Sequence, residues 1–326
     1  MNAMAQRARR GLAAVFMPML MLPLGVLAQP YPSKPVRVIM AVSGGAEVLV
    51  RVAGQKLGEA LGQPVVLEIQ SGAAGAVGAE MVAKAAPDGH TLLLAASSSQ
   101  TMRPHLTRNT PYDPVRDFTP IIRVAEAVLC VAADPAAPFQ TLREMIDYAR
   151  RNPGKLTYGT SGIGTNHHLA AELIRQSTHV DMLHVPYKTA PQVITDVMAG
   201  RIPVAFTILA TIMPNVKAGK LRVLAIYNTR RYPLIPDVPT VSEEIPGYEP
   251  PPGWMGYFGP AGLSSGVVQR LNVELARIFK EPEMQARAEG IGFMLTTSTP
   301  EEFAATVKRD FAAVGRIVKT AGINPD

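Results

Sequence analysis

Two short loops carry the residue types that could do chemistry. One is Ser43-Gly44-Gly45-Ala46; the other is Thr160-Ser161-Gly162-Ile163-Gly164-Thr165. Each falls between a predicted strand and the start of a predicted helix. A helix start offers unpaired backbone N–H groups and a partial positive charge, so it seats anions. Glycine lets a ligand approach the backbone closely, and hydroxyls add donors. Two such loops, far apart in the chain, suggest a carboxylate held from two sides.

Other chemistries fit these residues less well. Gly159 and Gly164 have the outer spacing of a phosphate loop, but Thr165-Asn166 follows where Lys-Ser or Lys-Thr is required. Ser161 has Gly159 two residues before it, yet Ile163 occupies the second glycine position of a nucleophile elbow. An exported hydrolase using Ser161 and His168 is the alternative reading. His168 and Glu172 share a helix face, but a metal needs a further ligand, and neither HExxH nor paired cysteines occur. His168 is therefore expected to be structural, and His167 solvated. Asp113, Asp117, Asp196 and Glu47 form no recognisable acid–base pair. Lys188 is either an anion partner or a surface lysine. Trp254, the sole tryptophan, is packing or a ligand wall.

These residues need a frame. Strands are predicted over 36–42, 65–69 and 91–96, separated by helical spacing near 48–61 and over 76–86. That alternation marks a mostly parallel sheet with helices on both faces. The extended run 119–133 is long for one strand and reads as a passage from one domain into a second. There the rhythm repeats: a helix to about 152 with the capping-box spacing of Thr141 and Glu144, a strand over 156–160, the second glycine loop, and a helix over 166–176. A strand at 182–185, a helix at 192–198 and strands at 202–208 and 223–227 follow. The proline-rich stretch 233–252 reads as a surface segment, 254–258 as a returning strand, and 265–280 and 300–321 as helices packing back on the first domain. Thr299, Pro300 and Glu302 mark the start of the last helix.

Bulk properties bound the rest. The chain has 326 residues. Arg7, Arg9 and Arg10 precede an apolar stretch, 12–27, that ends in Val26-Leu27-Ala28, the pattern of a signal peptide cleaved before Gln29. Residues 1–28 hold three arginines and no acid, so the formal charge falls from +6 to +3 on their removal. That charge points away from nucleic acid and mildly toward anionic ligands. The remaining length suits two domains. One cysteine, Cys130, excludes an internal disulfide, and its apolar neighbours predict a buried thiol.

Taken in order, a set of blocks resembles one family. These are Tyr31-Pro32-Ser33-Lys34-Pro35, the Gly44-Gly45 loop, Ala85-Ala86-Pro87-Asp88-Gly89-His90-Thr91-Leu92-Leu93 and Pro111-Tyr112-Asp113-Pro114-Val115-Arg116-Asp117-Phe118. Ser161-Gly162-Ile163-Gly164-Thr165, His168-Leu169-Ala170, His184-Val185-Pro186-Tyr187-Lys188, Lys217-Ala218-Gly219-Lys220-Leu221-Arg222 and Pro236-Asp237-Val238-Pro239-Thr240-Val241 follow. The chain resembles the Bug-type periplasmic solute-binding proteins of tripartite tricarboxylate transporters across nearly all of its mature length. The resemblance implies an α/β fold of two lobes, a type II Venus flytrap with a mostly parallel sheet in each lobe. The lobes would be 29–127 with 251–326, and 128–250. It also implies a small carboxylate in the cleft, membrane permease subunits as partners or a sensor domain in their place, a monomer, and no cofactor, metal or catalytic residue. In the family the Ser-Gly-x-Gly-Thr loop holds a carboxylate, and the first-lobe loop closes over the ligand, partly through water.

The expected ligand contacts are Ser43, Gly44, Gly45, Ala46, Ser97, Ser98, Ser161, Gly162, Gly164, Thr165, His168 and Thr207. Three departures from the family pattern bear on ligand choice. Ser43 stands where the family usually has Pro. Glu47-Val48 replaces the usual Thr/Ser-Asp. Thr207 replaces an Asp that would pair with a ligand amine, which argues against an amino acid and for a di- or tricarboxylate or an aromatic acid.

Overall fold

The computed structural model describes residues 31–42 and 46–325. The predicted signal peptide and the loop residues Ser43, Gly44 and Gly45 lie outside the described residues. In chain order the strands are β1 (Val36–Met40), β2 (Val65–Ile69), β3 (Thr91–Ala96), β4 (Phe118–Ala127), β5 (Leu129–Ala133) and β6 (Leu156–Thr160). They continue with β7 (Met182–Pro186), β8 (Val204–Ile208), β9 (Arg222–Ile226), β10 (Trp254–Pro260) and β11 (Phe293–Leu295).

They form two α/β lobes. One sheet has the order β11-β4-β10-β3-β1-β2, the other β7-β6-β8-β5-β9. β1 pairs parallel with β2 and β3, and β10 and β11 run antiparallel to their neighbours. In the second sheet only β5 runs against the others. Both sheets are thus mixed, with most of their strands sharing one direction.

Continuous apolar runs explain why both faces of each sheet are covered. Side chains alternate along a strand, so each run feeds two cores. Val38 and Met40 of β1 join one cluster with Leu92 and Leu94 of β3; Ile39 joins the other with Leu93 and Ala95. In β5, Leu129 and Val131 face one core, and Cys130 and Ala132 the other. Cys130 is fully buried, and burial pushes its thiol pKa up, as an inert core thiol requires. Each fully buried Leu, Ile or Val contributes on the order of 1.5–3 kcal/mol.

The predicted run 119–133 is two strands. It breaks at Val128, where β4 leaves the first sheet and β5 enters the second. Asn228, buried at 7% exposure, clamps the break: its Nδ2 donates to the Ala127 carbonyl (2.8 Å), and its Oδ1 accepts from the Leu129 N–H (3.0 Å). Trp254 proves to be packing. It stacks edge-on against Phe303 (5.1 Å), and its Nε1 donates to Asp310 Oδ2 (2.8 Å) on the Pro300–Thr320 helix. That helix opens with the capping box expected of Thr299 and Glu302.

Several elements differ from the sequence reading. The Leu209–Lys217 helix carries Pro214 in its interior, a residue that reads as a breaker. The Pro282–Gly290 helix and the three-residue β11 are too weakly patterned to read. After β3, the wide turn Ser98–Met102 runs directly into the short helix Arg103–Leu106, a stretch to which the sequence reading assigns no element.

Candidate functional site

Two adjoining cavities lie where the strand ends of the two sheets face each other. The first, of about 290 Å3, is lined by Ala41, Val42, Ala46, Ser71, Ala74, Ala96, Ser97, Ser98, Ala127, Leu129, Asn166, His167, Ile208, Gly253, Met255 and Phe293. The second, of about 350 Å3, is lined by Met102, Arg103, Leu106, Thr107, Ser161, Ile163, Gly164 and Thr165 together with Ala74, Ser98, Asn166 and His167. Those last four residues form a shared wall. Ala74 belongs to a tight turn in which it and Ala73 both hold left-handed backbone angles, φ +56 and +51.

The second glycine loop forms much of this wall, and its own hydrogen bonds shape it. Gly162 (φ +133) and Gly164 (φ +73) occupy angles that side chains disfavour. A Cβ on Gly164 would stand 2.8 Å from Leu106 Cδ1, so the loop passes directly against the Arg103–Leu106 helix. Thr160 Oγ1 accepts from the Gly162 N–H (3.2 Å) and lies 2.7 Å from His184 Nε2. Thr165 caps the Asn166–Thr178 helix: its Oγ1 accepts from the His168 N–H (3.3 Å) and donates to the Gly162 carbonyl (2.9 Å). Gly164 N–H is taken by His168 Nδ1 (3.1 Å), and Leu169 N–H by the Thr165 carbonyl. The first two N–H groups of the helix, those of Asn166 and His167, have no intrahelical acceptor, and both residues line the shared wall.

His167 is the main correction to the sequence reading. It is 8% exposed rather than solvated, and it lines both cavities. Its Nδ1 lies 3.1 Å from Ser161 Oγ, while its buried Nε2 has no partner in the protein. Burial pushes its pKa down to about 4, so the ring is neutral near pH 7. The tautomer that accepts the Ser161 hydroxyl at Nδ1 carries its proton on Nε2 and makes that nitrogen a neutral donor; the opposite tautomer makes it an acceptor.

The cavities bring together Ala46, Ser97, Ser98, Ser161, Gly164 and Thr165. Gly162 shapes the loop without lining either cavity. His168 stands behind the loop, stacked on His184 at 4.2 Å with Nε2 4.0 Å from Glu172 Oε1, and lines neither cavity. Thr207 also lines neither. It pairs with Cys130 across β8 and β5, on the strand face opposite Ile208, with its hydroxyl buried and unpartnered. Ile208 is the β8 residue that reaches the cavity. Lys188 lies in a separate surface groove with Tyr187 and Asp196.

Arg103 belongs to no motif that the sequence reading singles out. It is half-buried in the second cavity, and its Nε is buried without a partner. A signal is nevertheless present: it is the only formally charged residue between Asp88 and Arg108.

Residues 49–323 match TctC, the tripartite tricarboxylate transporter family receptor. The chain belongs to this receptor family. It is 34% identical over 286 residues to a UPF0065 protein in the tcbD-tcbE intergenic region of a Pseudomonas species (strain P51), covering 86% of this chain and 84% of the relative. Among solved structures it resembles one described as a periplasmic transporter (35% identity, TM-score 0.74, 91% and 100% of the two chains covered). It also resembles Rpa4515 of R. palustris with adipate (29% identity, TM-score 0.75, 91% and 100% covered).

The receptor is a binding protein and not an enzyme, which sets aside the hydrolase alternative. The geometry agrees. Ser161 meets His167, not His168, and it does so through Nδ1. A base in a Ser-His-Asp arrangement uses one ring nitrogen for the serine and the other for a carboxylate; here the other nitrogen has no partner. Among the described residues no group of three or more His, Cys, Asp or Glu could hold a metal ion, and no helix is long and apolar enough to cross a membrane.

Proposed function

We propose that the receptor captures a small organic carboxylate in the periplasm and delivers it to the membrane subunits of a tripartite transporter. One lobe, residues 29–127 with 251–326, would close on the other, residues 128–250. The carboxylate would rest on the N–H groups of Asn166 and His167. The observation that carries this reading is the shared wall of the two cavities. There a helix start and the side chains of His167 and Arg103 line connected space. Rpa4515, a relative of similar fold, is described with adipate, a carboxylate.

Magnitudes support it. A micromolar site needs about 8 kcal/mol net. Each hydrogen bond to a charged group contributes about 1.5–3 kcal/mol, and the helix dipole adds about 0.3–1 kcal/mol. Two backbone donors, His167 and Arg103 together reach that range once the lobes exclude water.

A thermal-shift screen of mono-, di-, tri- and aromatic carboxylates tests the proposal. Ligand at about 100 times Kd stabilises the native state by about 2.7 kcal/mol, which raises Tm by several degrees. A flat response across the whole series would refute it.

A further inference from the structure

Both glycines of the second loop are held from behind by one pair of histidines. The rings of His168 and His184 stack at 4.2 Å, with 16° between their planes. His168 Nδ1 accepts the Gly164 N–H at 3.1 Å. His184 Nε2 lies 2.7 Å from Thr160 Oγ1, which accepts the Gly162 N–H at 3.2 Å. A backbone N–H can only donate, so Nδ1 of His168 offers a lone pair and the ring proton sits on Nε2. That Nε2 is 4.0 Å from Glu172 Oε1. A second proton has only Nδ1 to occupy, and there it would meet the Gly164 N–H donor to donor.

The groups around His168 do not offset that loss. Glu172 is already engaged: Tyr158 of β6 donates to its Oε1 (3.1 Å), and Arg175 donates twice to its Oε2 (3.0 and 2.7 Å). Arg175 on the same helix opposes a further positive charge, as does a charged His184 on β7. β8, which also packs on this helix, carries no titratable side chain. Arg309, Asp310 and Arg316 of the Pro300–Thr320 helix line a groove with Leu173 and Ser177, on another face of the Asn166–Thr178 helix. His105 is turned onto Phe311, and Arg103 and His167 stand on the cavity side of the loop. Burial, with Arg175, outweighs the pull of Glu172 and holds the His168 pKa below the ordinary 6.5. The Gly164 anchor is therefore intact above that value and is lost as pH falls through the lowered one.

We propose that His168 is the positioning residue of the carboxylate site: its neutral Nδ1 holds the Gly164 turn in shape, and a proton taken up there releases the turn. His168 lines neither cavity, so acid acts on the wall from behind. The effect on binding rests on the carboxylate reading above; the effect on the loop does not.

Hydrogen exchange of the whole protein labelled with 15N-glycine tests the loop, between about pH 7.5 and 4.5. Protection at Gly164, corrected for the intrinsic rate, should fall about fivefold or more on acidification, while Gly256 in β10 stays protected. His168→Asn places a carbonyl oxygen where Nδ1 stands and does not titrate, so it should keep Gly164 protected throughout. His168→Leu should leave Gly164 weakly protected at every pH. Calorimetry with adipate tests the site. The ratio of wild-type Kd to His168→Asn Kd cancels the titration of adipate itself; it should be near one at the upper pH and rise to about five at the lower. No fall in Gly164 protection in the wild type, or an equal fall in His168→Asn, would overturn the inference. A Kd ratio that stays flat while the exchange results hold would limit His168 to the loop and overturn its role in binding. Adipate binding neither protein at any pH would count against the carboxylate reading and leave the loop result standing.

Discussion

Ser97 and Asn166 donate to one carbonyl, that of Pro252. Ser97 follows β3 of the first sheet, Asn166 opens the helix after β6 of the second, and Pro252 precedes β10. The three segments meet at the wall of the first cavity. A shared acceptor makes the two donors redundant. Either Ser97→Ala or Asn166→Ala leaves the carbonyl with one partner and should cost about 1 kcal/mol. The double variant leaves it with none and should cost about 1 kcal/mol more than the sum. Urea unfolding of the four proteins measures that coupling, and simple additivity would show that the carbonyl finds another donor.

Gly164 is where the glycine loop touches the first lobe. Gly164→Ala combines a left-handed backbone angle with a contact to Leu106 at 2.8 Å. Gly219 has a similar angle, φ +68, and a Cβ there would meet nothing within 4 Å. Gly219→Ala should therefore report the backbone cost alone, on the order of 1–2 kcal/mol. Gly164→Ala should cost more, and adding Leu106→Ala should recover the excess. Equal losses at 164 and 219 would mean that the loop yields freely.

The neutral state of His167 has a consequence for stability. Its pKa is held down to about 4 in the fold against the ordinary 6.5, so the unfolded chain binds the extra proton between those values. Stability from this group is complete above pH 6.5 and is lost as pH falls toward 4. Between pH 7.5 and 4.5 the loss should be on the order of 2–3 kcal/mol. His167→Asn, which cannot titrate, should show a correspondingly smaller drop over the same range. An identical drop in both proteins would show that His167 is not held neutral.

Much of the fold is legible in the sequence. Apolar runs such as 91–96 and the capping box at Thr299 and Glu302 are local signals, and β3 and the last helix form where these signals place them. The second glycine loop is also legible as a strand-to-helix turn, because Gly162 and Gly164 supply the angles it needs. What stays hidden depends on contacts distant in sequence. His167 looks solvated by its position at a helix start, but it is buried where the two sheets face each other. Thr207 and Ile208 are adjacent in sequence, and only the strand pairing with β5 decides which one reaches the cavity. Arg103 follows an uncharged run whose irregular turn no periodicity announces.

The central claim is that the backbone at the start of the Asn166–Thr178 helix holds the ligand carboxylate. Asn166→Pro tests it most directly. Proline is well tolerated at the first helical position, and Thr165 before it is already extended (φ −72, ψ 161). The substitution deletes one N–H donor from the site, and Asn166→Ala controls for the lost side chain. Calorimetry with the tightest-binding carboxylate should give a Kd at least tenfold weaker for Asn166→Pro than for Asn166→Ala, at equal thermal stability, since one hydrogen bond to a charged group is worth about 1.5–3 kcal/mol. Equal affinity in the two variants would contradict the claim and place the carboxylate elsewhere in the cleft.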